Sequence, residues 1–354
     1  MAFGHGATGA MWTIKDFGEM IIGMNPLDNE VIWDKLYKQT YWAQGGGSIV
    51  WSAISAIDIA LWDIKGKYFG VPLYTLLGGK RREDLRCYAS QLQMGWSETR
   101  EGLGPVEEYV AVAKKALAEG YDAVKYDFFT YDRDGRRFDK DELSRLLSPY
   151  YMGVMEERVA AVRDTVGPNV DILWEAHGNT DAVAAVQVAK MAEKYNIFFL
   201  EEPSTPNPKM TKYISDHCNI PIAHGERLYT RWQFMPYFEN NSVQVIQPDL
   251  GNCGGLTEGK KICDMAYTYD VGVQLHVCAT PLSGALSLHL ESVIPNFVIH
   301  EHHRNCLYPH NMVLCDYDFQ PVNGRMAPPD RPGIGCEFTE ETMNMPGAES
   351  VTVK

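Results

Sequence analysis

The sequence predicts an α/β fold in which eight short strands alternate with helices and close into a parallel barrel. Two observations lead to this prediction. Apolar, β-rich runs alternate with segments whose apolar residues recur at helical spacing, and ionisable residues end most of the runs at regular intervals. Nearly continuous apolar strands between amphipathic helices are typical of a parallel sheet that helices cover. Eight such strands are enough for a closed barrel.

The predicted strands lie between residues 86 and 303. They are RCYAS (86–90), AVKYDF (123–128), DILWEA (171–176), FFLEEP (198–203), IPIAHGE (220–226), VQVIQPD (243–249), GVQLHV (272–277) and FVIHEH (297–302). The helical segments between them include VEEYVAVAKKALAEG (106–120) and DAVAAVQVAKMAEKY (181–195). Each has its apolar residues on one helical face, as expected for a helix that packs on a sheet.

The segments outside these runs predict a second, smaller unit. Residues 50–69 form a helix that Gly70 and Pro72 end. The predicted buried face of this helix consists of Val50, Ile54, Ile57, Leu61 and Ile64. Residues 304–354 have weak periodicity, and we expect them to return to the N-terminal helices. Residues 131–153 are a long charged insertion, for which a substrate-facing loop and a solvated surface loop both stay open.

Composition and charge exclude several classes of partner. The chain has 354 residues, of which 45% are hydrophobic and 22% charged, so it has ample material for a large core. A net charge of −14, without a cluster of basic residues, disfavours nucleic acid and anionic membranes. The sequence shows neither a signal peptide nor an apolar run long enough to span a membrane, so we expect a cytoplasmic protein.

The cysteine pattern points away from a disulfide framework. The eight cysteines are scattered and form no C-x-x-C pair. This distribution suits reduced thiols of the cytosol, and it disfavours a zinc site built from cysteines.

Ionisable residues at the strand ends give the strongest functional signal. Six of them follow one another at intervals of 23 to 27 residues, which is one strand-helix unit: Glu175, Glu201, Glu226, Asp249, His276 and Glu301. A barrel gathers the C-terminal ends of its strands into one mouth, so these side chains are predicted to converge. A surface role is common for any single acid, but regular repetition across six strands disfavours it for the set.

Three acids from successive strands predict a metal site. Glu175, Glu201 and Glu226 would repel one another if they converged without a cation. An all-oxygen set favours Mg²⁺, or Mn²⁺, over zinc.

The next two strand ends predict an acid–base pair. A carboxylate such as Asp249 fixes the tautomer of a neighbouring imidazole and stabilises its protonated form. His276 at this position is therefore predicted to act as a general base.

These residues carry a family resemblance. The chain resembles the enolase superfamily, specifically its mandelate racemase-like subgroup of acid-sugar dehydratases, such as the galactonate, gluconate and galactarate dehydratases. The resemblance covers roughly residues 50–340. Its motifs are SAISAIDIALWDIKGKYFGVPLYTLLGG (52–79), FFLEEP (198–203), IPIAHGE (220–226), QPDLGNCGGLTEG (247–259) and FVIHEHH (297–303).

The resemblance implies a specific architecture. It is a (β/α)7β TIM-like barrel, residues 85–303, with a smaller α+β capping domain. Residues 1–84 and the returning segment 304–354 would form the capping domain. Members of the family open with strands and a lid loop, whereas this chain starts, at GHGATG, near where those strands end.

The resemblance also implies roles for individual residues. Mg²⁺ would bind Glu175, Glu201 and Glu226, while Asp249 and His276 match the catalytic Asp–His pair of the family. Glu301 matches the acid that hydrogen-bonds the substrate carboxylate. The shared chemistry is removal of the proton alpha to a carboxylate, which gives an enediolate that the metal stabilises.

Two departures from the racemases indicate dehydration. Where racemases carry K-x-K on the second strand, this chain has Lys125-Tyr126-Asp127, so the second base of a racemase is missing. Lys125 remains available for the substrate carboxylate, and Asp127 for sugar hydroxyls. His177, two residues after Glu175, matches the histidine that protonates the departing 3-hydroxyl in some dehydratases of the subgroup. The alternative for His177 is a packing role or a hydrogen bond to Glu175.

The sequence thus predicts a Mg²⁺-dependent hydro-lyase that converts an aldonate or aldarate into a 2-keto-3-deoxy acid. One alternative is epimerisation, racemisation or cycloisomerisation of a sugar acid or lactone through the same enediolate. Another is a paralogue that binds sugar acids without turnover. The family resemblance also implies an even-numbered homo-oligomer.

Overall fold

The computed structural model describes residues 9–41, 43–99, 101–278, 280–317, 320–346, 348 and 350–353. Its nine strands in this part of the chain are β1 (Leu85–Ser90), β2 (Ala123–Tyr126), β3 (Asp171–Glu175), β4 (Ile197–Glu201), β5 (Ile222–His224), β6 (Val245–Ile246), β7 (Gly272–Val273), β8 (His300–His303) and β9 (Arg325–Met326). The first eight are parallel and lie in the order β7-β6-β5-β4-β3-β2-β1-β8, while β9 pairs antiparallel with β1.

The parallel sheet closes on itself. Val273 of β7 pairs with Phe297, which lies just before β8. Two backbone hydrogen bonds form this seam, from Val273 N to Asn296 O at 2.8 Å and from Val298 N to Val273 O at 2.9 Å. The predicted eight-stranded parallel barrel is therefore confirmed.

Helices connect successive strands, as the right-handed crossover requires. In chain order the helices are α1 (Ala10–Ile21), α2 (Asn29–Gln39), α3 (Ser48–Phe69), α4 (Leu73–Leu76), α5 (Val106–Ala118), α6 (Lys140–Leu143), α7 (Pro149–Val166), α8 (Ala182–Ala192), α9 (Pro208–Asp216), α10 (Thr230–Glu239), α11 (Gly255–Thr268), α12 (Pro281–Val293), α13 (Pro309–Met312) and α14 (Glu340–Asn344). Those from α5 to α12 fill the seven crossovers, which gives the (β/α)7β pattern.

The barrel interior is apolar at the level below its mouth. Seven buried side chains of the strands and their flanks form this layer: Tyr88, Ala123, Leu173, Phe199, Ala223, Val245 and Ile299. Because side chains of a strand alternate in direction, the residues two positions further along point into the barrel one level higher. That higher level holds the ionisable residues.

The last strands are shorter than predicted. The runs 220–226, 243–249 and 272–277 contain regular strand only at β5, β6 and β7. Parallel backbone contacts nevertheless continue, from Gln247 N to His224 O at 2.9 Å and from Gln274 N to Ile246 O at 3.0 Å. The chain therefore stays aligned up to the mouth although the regular ladder ends earlier.

The prediction that residues 131–153 form a loop is wrong for part of this insertion. It contains α6, and its last residues form the first turn of α7. The Ser148 side chain caps α7 by accepting a hydrogen bond from Tyr151 N, and Pro149 occupies the first turn, where a missing N–H costs nothing. Tyr151 is buried, so this part of the insertion packs on the barrel.

The predicted buried face of α3 is correct in its middle and wrong near its end. Ile54, Ile57 and Leu61 are buried, whereas Ile64 is 43% exposed. The reason is that the end of α3 packs on a different segment of the chain. A Cβ on Gly66 would lie 2.6 Å from Gly333 Cα, so the C-terminal segment packs directly on Gly66. That side lies about 200° around the helix from Ile64.

The C-terminal segment returns to the N-terminal helices. Leu73 N donates to Gly333 O at 3.1 Å, and Ile334 N donates to Asp63 Oδ1 at 2.8 Å. The division into residues 1–84, 85–303 and 304–354 stays a prediction. The GHGATG start falls almost entirely within residues 1–8, which lie outside the described residues. Among the described residues, no helix is both long and apolar enough to cross a membrane.

Substitution of Gly255 by alanine is expected to destabilise the fold. Gly255 has φ of +83°, and a Cβ there would lie 2.7 Å from the Cβ of Asp58 and strike its carboxylate. That carboxylate accepts a hydrogen bond from Thr257 N at 2.9 Å and so caps α11. We expect Gly255→Ala to lower the free energy of unfolding by about 1–3 kcal/mol from backbone strain alone. The clash with Asp58 adds to this loss. Urea denaturation followed by circular dichroism measures this change.

Gly153→Ala is the matched control for this prediction. Gly153 lies inside α7, and a Cβ there meets nothing within 4 Å. Alanine is the better helix former by about 1 kcal/mol, so this variant should be as stable as the parent or slightly more stable. Equal stability of Gly255→Ala and the parent would show that the contact with Asp58 relaxes without cost.

Candidate active site

The residues predicted for the site all lie at the C-terminal end of the barrel. Lys125 and Glu301 lie within β2 and β8, and Glu175 and Glu201 end β3 and β4. The others follow their strands: Asp127 after β2, His177 after β3, Glu226 after β5, Asp249 after β6 and His276 after β7. The register places neighbours side by side, because Glu175 of β3 pairs with Glu201 of β4.

The three predicted metal ligands converge. Glu175, Glu201 and Glu226 each offer a carboxylate oxygen, and these oxygens lie within 4.8 Å of one another. Glu175 and Glu201 are 1% exposed, and the side chain of Glu226 is 13% exposed. Such a set of hard oxygen donors, closed below and open toward the mouth, fits a divalent cation of the Mg²⁺ class.

A buried ammonium lies beside these carboxylates. Lys125 Nζ is 3.0 Å from Glu175 Oε2, 2.8 Å from Glu201 Oε1 and 2.9 Å from Glu301 Oε1. Burial opposes the charged form of Lys125, but Glu201 and Glu301 outweigh it and raise its pKa well above the ordinary value. The lysine therefore stays charged and neutralises part of the floor of the site.

One positive charge does not balance these acids. Burial and the adjacent Glu175 carboxylate raise the pKa of Glu201 well above its usual range, although Lys125 opposes this rise. A raised pKa of this origin marks excess negative charge in a place without water. A divalent cation would remove that excess, so the electrostatics agree with the donor set.

Glu301 also lies beside Lys125, and two hydrogen bonds hold its carboxylate in place. Ser90 Oγ donates to Glu301 Oε1 at 2.5 Å, and Val277 N donates to Glu301 Oε2 at 2.9 Å. Burial alone would raise the pKa of Glu301, but Lys125 and His276 lower it far below its usual range. Glu301 is therefore an anion fixed at the floor.

His276 forms the predicted pair with Asp249. Its Nδ1 lies 2.7 Å from Asp249 Oδ2, and its Nε2 points to Glu226 Oε2 at 3.2 Å. Burial opposes the charged imidazolium, but the neighbouring Cys278 and Glu226 side chains, together with the Asp249 hydrogen bond, raise the pKa of His276 well above its ordinary value. The Nε2 edge thus faces the metal ligands, where a bound substrate would lie.

His177 also has a carboxylate partner. Its Nδ1 lies 2.6 Å from Asp127 Oδ2, and the His177 side chain is 30% exposed. Burial lowers the pKa of His177, but the Glu175 charge and the Asp127 hydrogen bond outweigh it and raise the pKa to about 10. This raised pKa favours the protonated form of His177 near neutral pH.

The two histidines lie across the mouth from each other. His177 follows β3 and His276 follows β7, which are four positions apart in a ring of eight strands. Both are partly exposed, whereas Lys125, Glu175, Glu201 and Glu301 are 0–1% exposed. The site therefore has a charged floor and two imidazoles on opposite walls.

Sequence reasoning did not identify Asp127 as the partner of His177. The predicted contact of Asp127 with sugar hydroxyls stays a prediction. In the structure one carboxylate oxygen of Asp127 lies on His177, and the other accepts from Phe129 N at 2.7 Å. The sequence did contain a clue to this pairing, because Asp127 and His177 come just after two neighbouring strands, β2 and β3.

Sequence reasoning also missed a support behind Glu226. Arg227 Nη2 donates to the His177 carbonyl at 2.7 Å and lies 3.2 Å from Glu226 Oε1. Its Nη1 is 3.7 Å from Glu202 Oε2, and the other Glu202 oxygen accepts from Gly225 N at 3.0 Å. Glu202, the second acid of the EEP motif, thus supports the arginine that joins two walls of the site.

The comparisons with known proteins agree with this geometry. Residues 108–342 match the family model described as "Enolase C-terminal domain-like", and residues 4–78 match that of the "Mandelate racemase / muconate lactonizing enzyme, N-terminal domain". The chain belongs to the enolase superfamily. This assignment confirms the resemblance seen in the sequence and agrees with a TIM-like barrel that carries a capping domain.

Individual members of the superfamily are similar over nearly the whole chain. The D-galactonate dehydratases of Pectobacterium atrosepticum and Variovorax paradoxus are each 32% identical over 334 residues, which is 93% of this chain and 81% of theirs. A crystal structure of an enolase superfamily member from Salmonella Typhimurium is 50% identical, with a TM-score of 0.96, and the match covers 100% of this chain and 91% of that one.

Proposed function

We propose that this enolase superfamily member is a Mg²⁺-dependent dehydratase of a sugar acid, an aldonate or aldarate, that forms a 2-keto-3-deoxy acid. One observation carries the proposal. Two carboxylate-held imidazoles face each other across three convergent carboxylates. Such an arrangement offers one group to remove a proton and a second to deliver one, which elimination requires.

His276 takes the role of the base. Asp249 holds its Nδ1 at 2.7 Å, and its Nε2 lies 3.2 Å from Glu226 Oε2. A cation on Glu226 would offset the negative charge that raises the pKa of His276, so that Nε2 can give up its proton and then accept the one from C2 of the substrate. The resulting imidazolium is stabilised by the same carboxylate. Asp249 is therefore a positioning residue for the base.

His177 takes the role of the acid. Asp127 holds its Nδ1 at 2.6 Å, and a proton on Nε2 can pass to the 3-hydroxyl as it leaves. Hydroxide is a poor leaving group, so this proton is needed for elimination, whereas racemisation does not need it. Because β3 and β7 lie opposite each other, the proton is removed and delivered from opposite walls.

The floor of the site takes the role of binding the carboxylate. A cation held by Glu175, Glu201 and Glu226 would supply positive charge against the enediolate that proton removal creates. Lys125 and Glu301 complete this floor. In the proposal Lys125 binds the substrate carboxylate, and Glu301 hydrogen-bonds it as the protonated acid, a form that the negative charge of the incoming carboxylate favours. Asp127 keeps its proposed contact with sugar hydroxyls, because each of its oxygens has one partner and can accept a second hydrogen bond.

The D-galactonate dehydratases among the relatives support an aldonate as the substrate class. Absence of a second base at position 127 further disfavours racemisation, because an aspartate stands where racemases carry lysine. The even-numbered homo-oligomer and the cytoplasmic location stay predictions.

Screening a library of acid sugars in deuterium oxide by NMR tests the proposal. With Mg²⁺ we expect one or a few aldonates or aldarates to give a 2-keto-3-deoxy product with deuterium at C3. Protein treated with a chelator should produce none of it, and added Mg²⁺ should restore turnover.

Other results would point to the alternatives. Deuterium at C2 without a keto product would indicate epimerisation, and a product isomeric with its lactone substrate would indicate cycloisomerisation. Mg²⁺-dependent binding of a sugar acid with neither turnover nor exchange would establish the non-catalytic paralogue.

A further inference from the structure

A thiol lies beside the Asp249–His276 pair and has no role in the proposed reaction. Cys278 follows His276 by two residues in the segment after β7. The Cys278 Sγ lies within 4.8 Å of a ring nitrogen of His276. Asn305 Nδ2 donates to Cys278 O at 2.9 Å and fixes the backbone at this point.

The three side chains converge as ligands do. One atom each of Asp249, His276 and Cys278 lies within 4.8 Å of the other two, and all three residues are partly exposed. The side chains of His276 and Asp249 are 14% and 22% exposed, so a small ion reaches them from the mouth.

The donor types differ from those of the carboxylate site. A carboxylate oxygen, an imidazole nitrogen and a thiolate sulfur form a mixed set, which zinc prefers and Mg²⁺ does not. Three protein ligands leave the fourth tetrahedral position for water. The sequence disfavours a zinc site built from several cysteines, whereas this set uses one.

We propose that Asp249, His276 and Cys278 form a binding site for Zn²⁺ and similar thiophilic divalent cations, separate from the three-carboxylate site, and that its occupation inhibits the enzyme. Binding replaces the thiol proton, which passes to solvent, with a sulfur–metal bond. Asp249 lies on Nδ1 of His276, so an ion that both residues bind takes the place of the proton on Nδ1. The remaining ring proton then lies on Nε2, and that nitrogen cannot accept the proton from C2. The inhibitory consequence rests on the proposed role of His276 as base.

Cobalt absorption tests the site without any turnover. Co²⁺ bound to a thiolate has a ligand-to-metal charge-transfer band in the near ultraviolet, which oxygen ligands alone do not give. We expect the band in the parent protein with excess Mg²⁺ present and its loss in Cys278→Ser. Cys218→Ser is the matched control, because Cys218 lies after α9, away from the C-terminal mouth, and its Sγ contacts Ile220 O at 3.7 Å.

Zinc inhibition tests the consequence. With Mg²⁺ in excess, low micromolar Zn²⁺ should suppress C2 exchange in the parent and in Cys218→Ser, and a chelator should reverse the effect. Each variant is compared with its own zinc-free rate. Loss of an outer partner of a metal ligand already weakens affinity about 10- to 100-fold, so loss of the thiolate should weaken zinc inhibition at least tenfold.

Alkylation of the parent protein keeps the test independent of variant folding. Saturating Zn²⁺ should protect Cys278 from iodoacetamide, as read by peptide mass spectrometry, while Mg²⁺ should not. A cobalt band that persists in Cys278→Ser, or an absence of protection, would overturn the site. A band and protection without loss of C2 exchange would leave the site in place and refute His276 as the base.

Discussion

Replacement of His276 by asparagine is expected to abolish both proton exchange at C2 and dehydration. A positioned general base contributes about 10²- to 10⁴-fold to rate, and an amide at this position cannot accept the proton. Asparagine is smaller than histidine but still offers an N–H to Asp249, so the wall of the mouth keeps a polar partner for that carboxylate. Deuterium incorporation and product formation are measured in one NMR experiment.

His217→Asn is the control for this change. His217 is exposed after α9, and its Nδ1 contacts Tyr213 O at 2.7 Å, far in sequence and position from the mouth. We expect this variant to keep the parental rates. Exchange at C2 that survived in His276→Asn at the parental rate would identify another group as the base.

Replacement of His177 by asparagine is expected to separate the two steps. Dehydration should fall by about 10²- to 10⁴-fold, because asparagine cannot protonate the leaving hydroxyl. Exchange at C2 should continue, because His276 and Asp249 are untouched. The change is suited to the backbone as well, since residue 177 has φ of +49°, a conformation in which asparagine is among the favoured residues.

The ratio of exchange to dehydration is the measurement that decides the role of His177. A structural role would lower both rates together, through misplacement of Glu175, whose Oε1 accepts from His177 N at 3.0 Å. Thermal melting with and without Mg²⁺ reports that case separately. Unchanged dehydration in His177→Asn would show that the 3-hydroxyl is protonated by another group.

The sequence predicted the barrel because its repeat is regular. One strand and one helix occupy about 25 residues, so the position of Glu175 in its unit already indicates those of Glu201 and Glu226 in theirs. Parallel strands all end on the same face of a barrel, and convergence of these acids follows from topology alone. The structure brings them within 4.8 Å, as that argument requires.

Contacts between side chains of different strands were harder to predict from the sequence. The sequence did not show that Asp127 holds His177, or that Lys125 lies among Glu175, Glu201 and Glu301. Which neighbour a side chain meets depends on strand tilt and register, and one position along a strand moves a side chain by about 3.3 Å. Spacing in the sequence does not resolve that difference.

Packing between segments far apart in the chain could not be predicted from the sequence for the same reason. Ile64 continues the apolar periodicity of α3, yet it is exposed because Gly333 approaches the helix at Gly66 instead. Cys278 appeared as one of several scattered thiols until the fold placed it against His276 and Asp249.

The sequence by itself therefore determined the barrel, the end of it that carries the chemistry, and the carboxylates and histidines that meet there. These follow from the period of the strand-helix repeat and from side-chain alternation, which are local properties of the chain. Only the tertiary structure decided that His177 is paired with Asp127, that a lysine neutralises part of the floor, and that a thiol lies beside the base. These depend on distances of a few ångströms between segments far apart in sequence, which closure of the barrel sets.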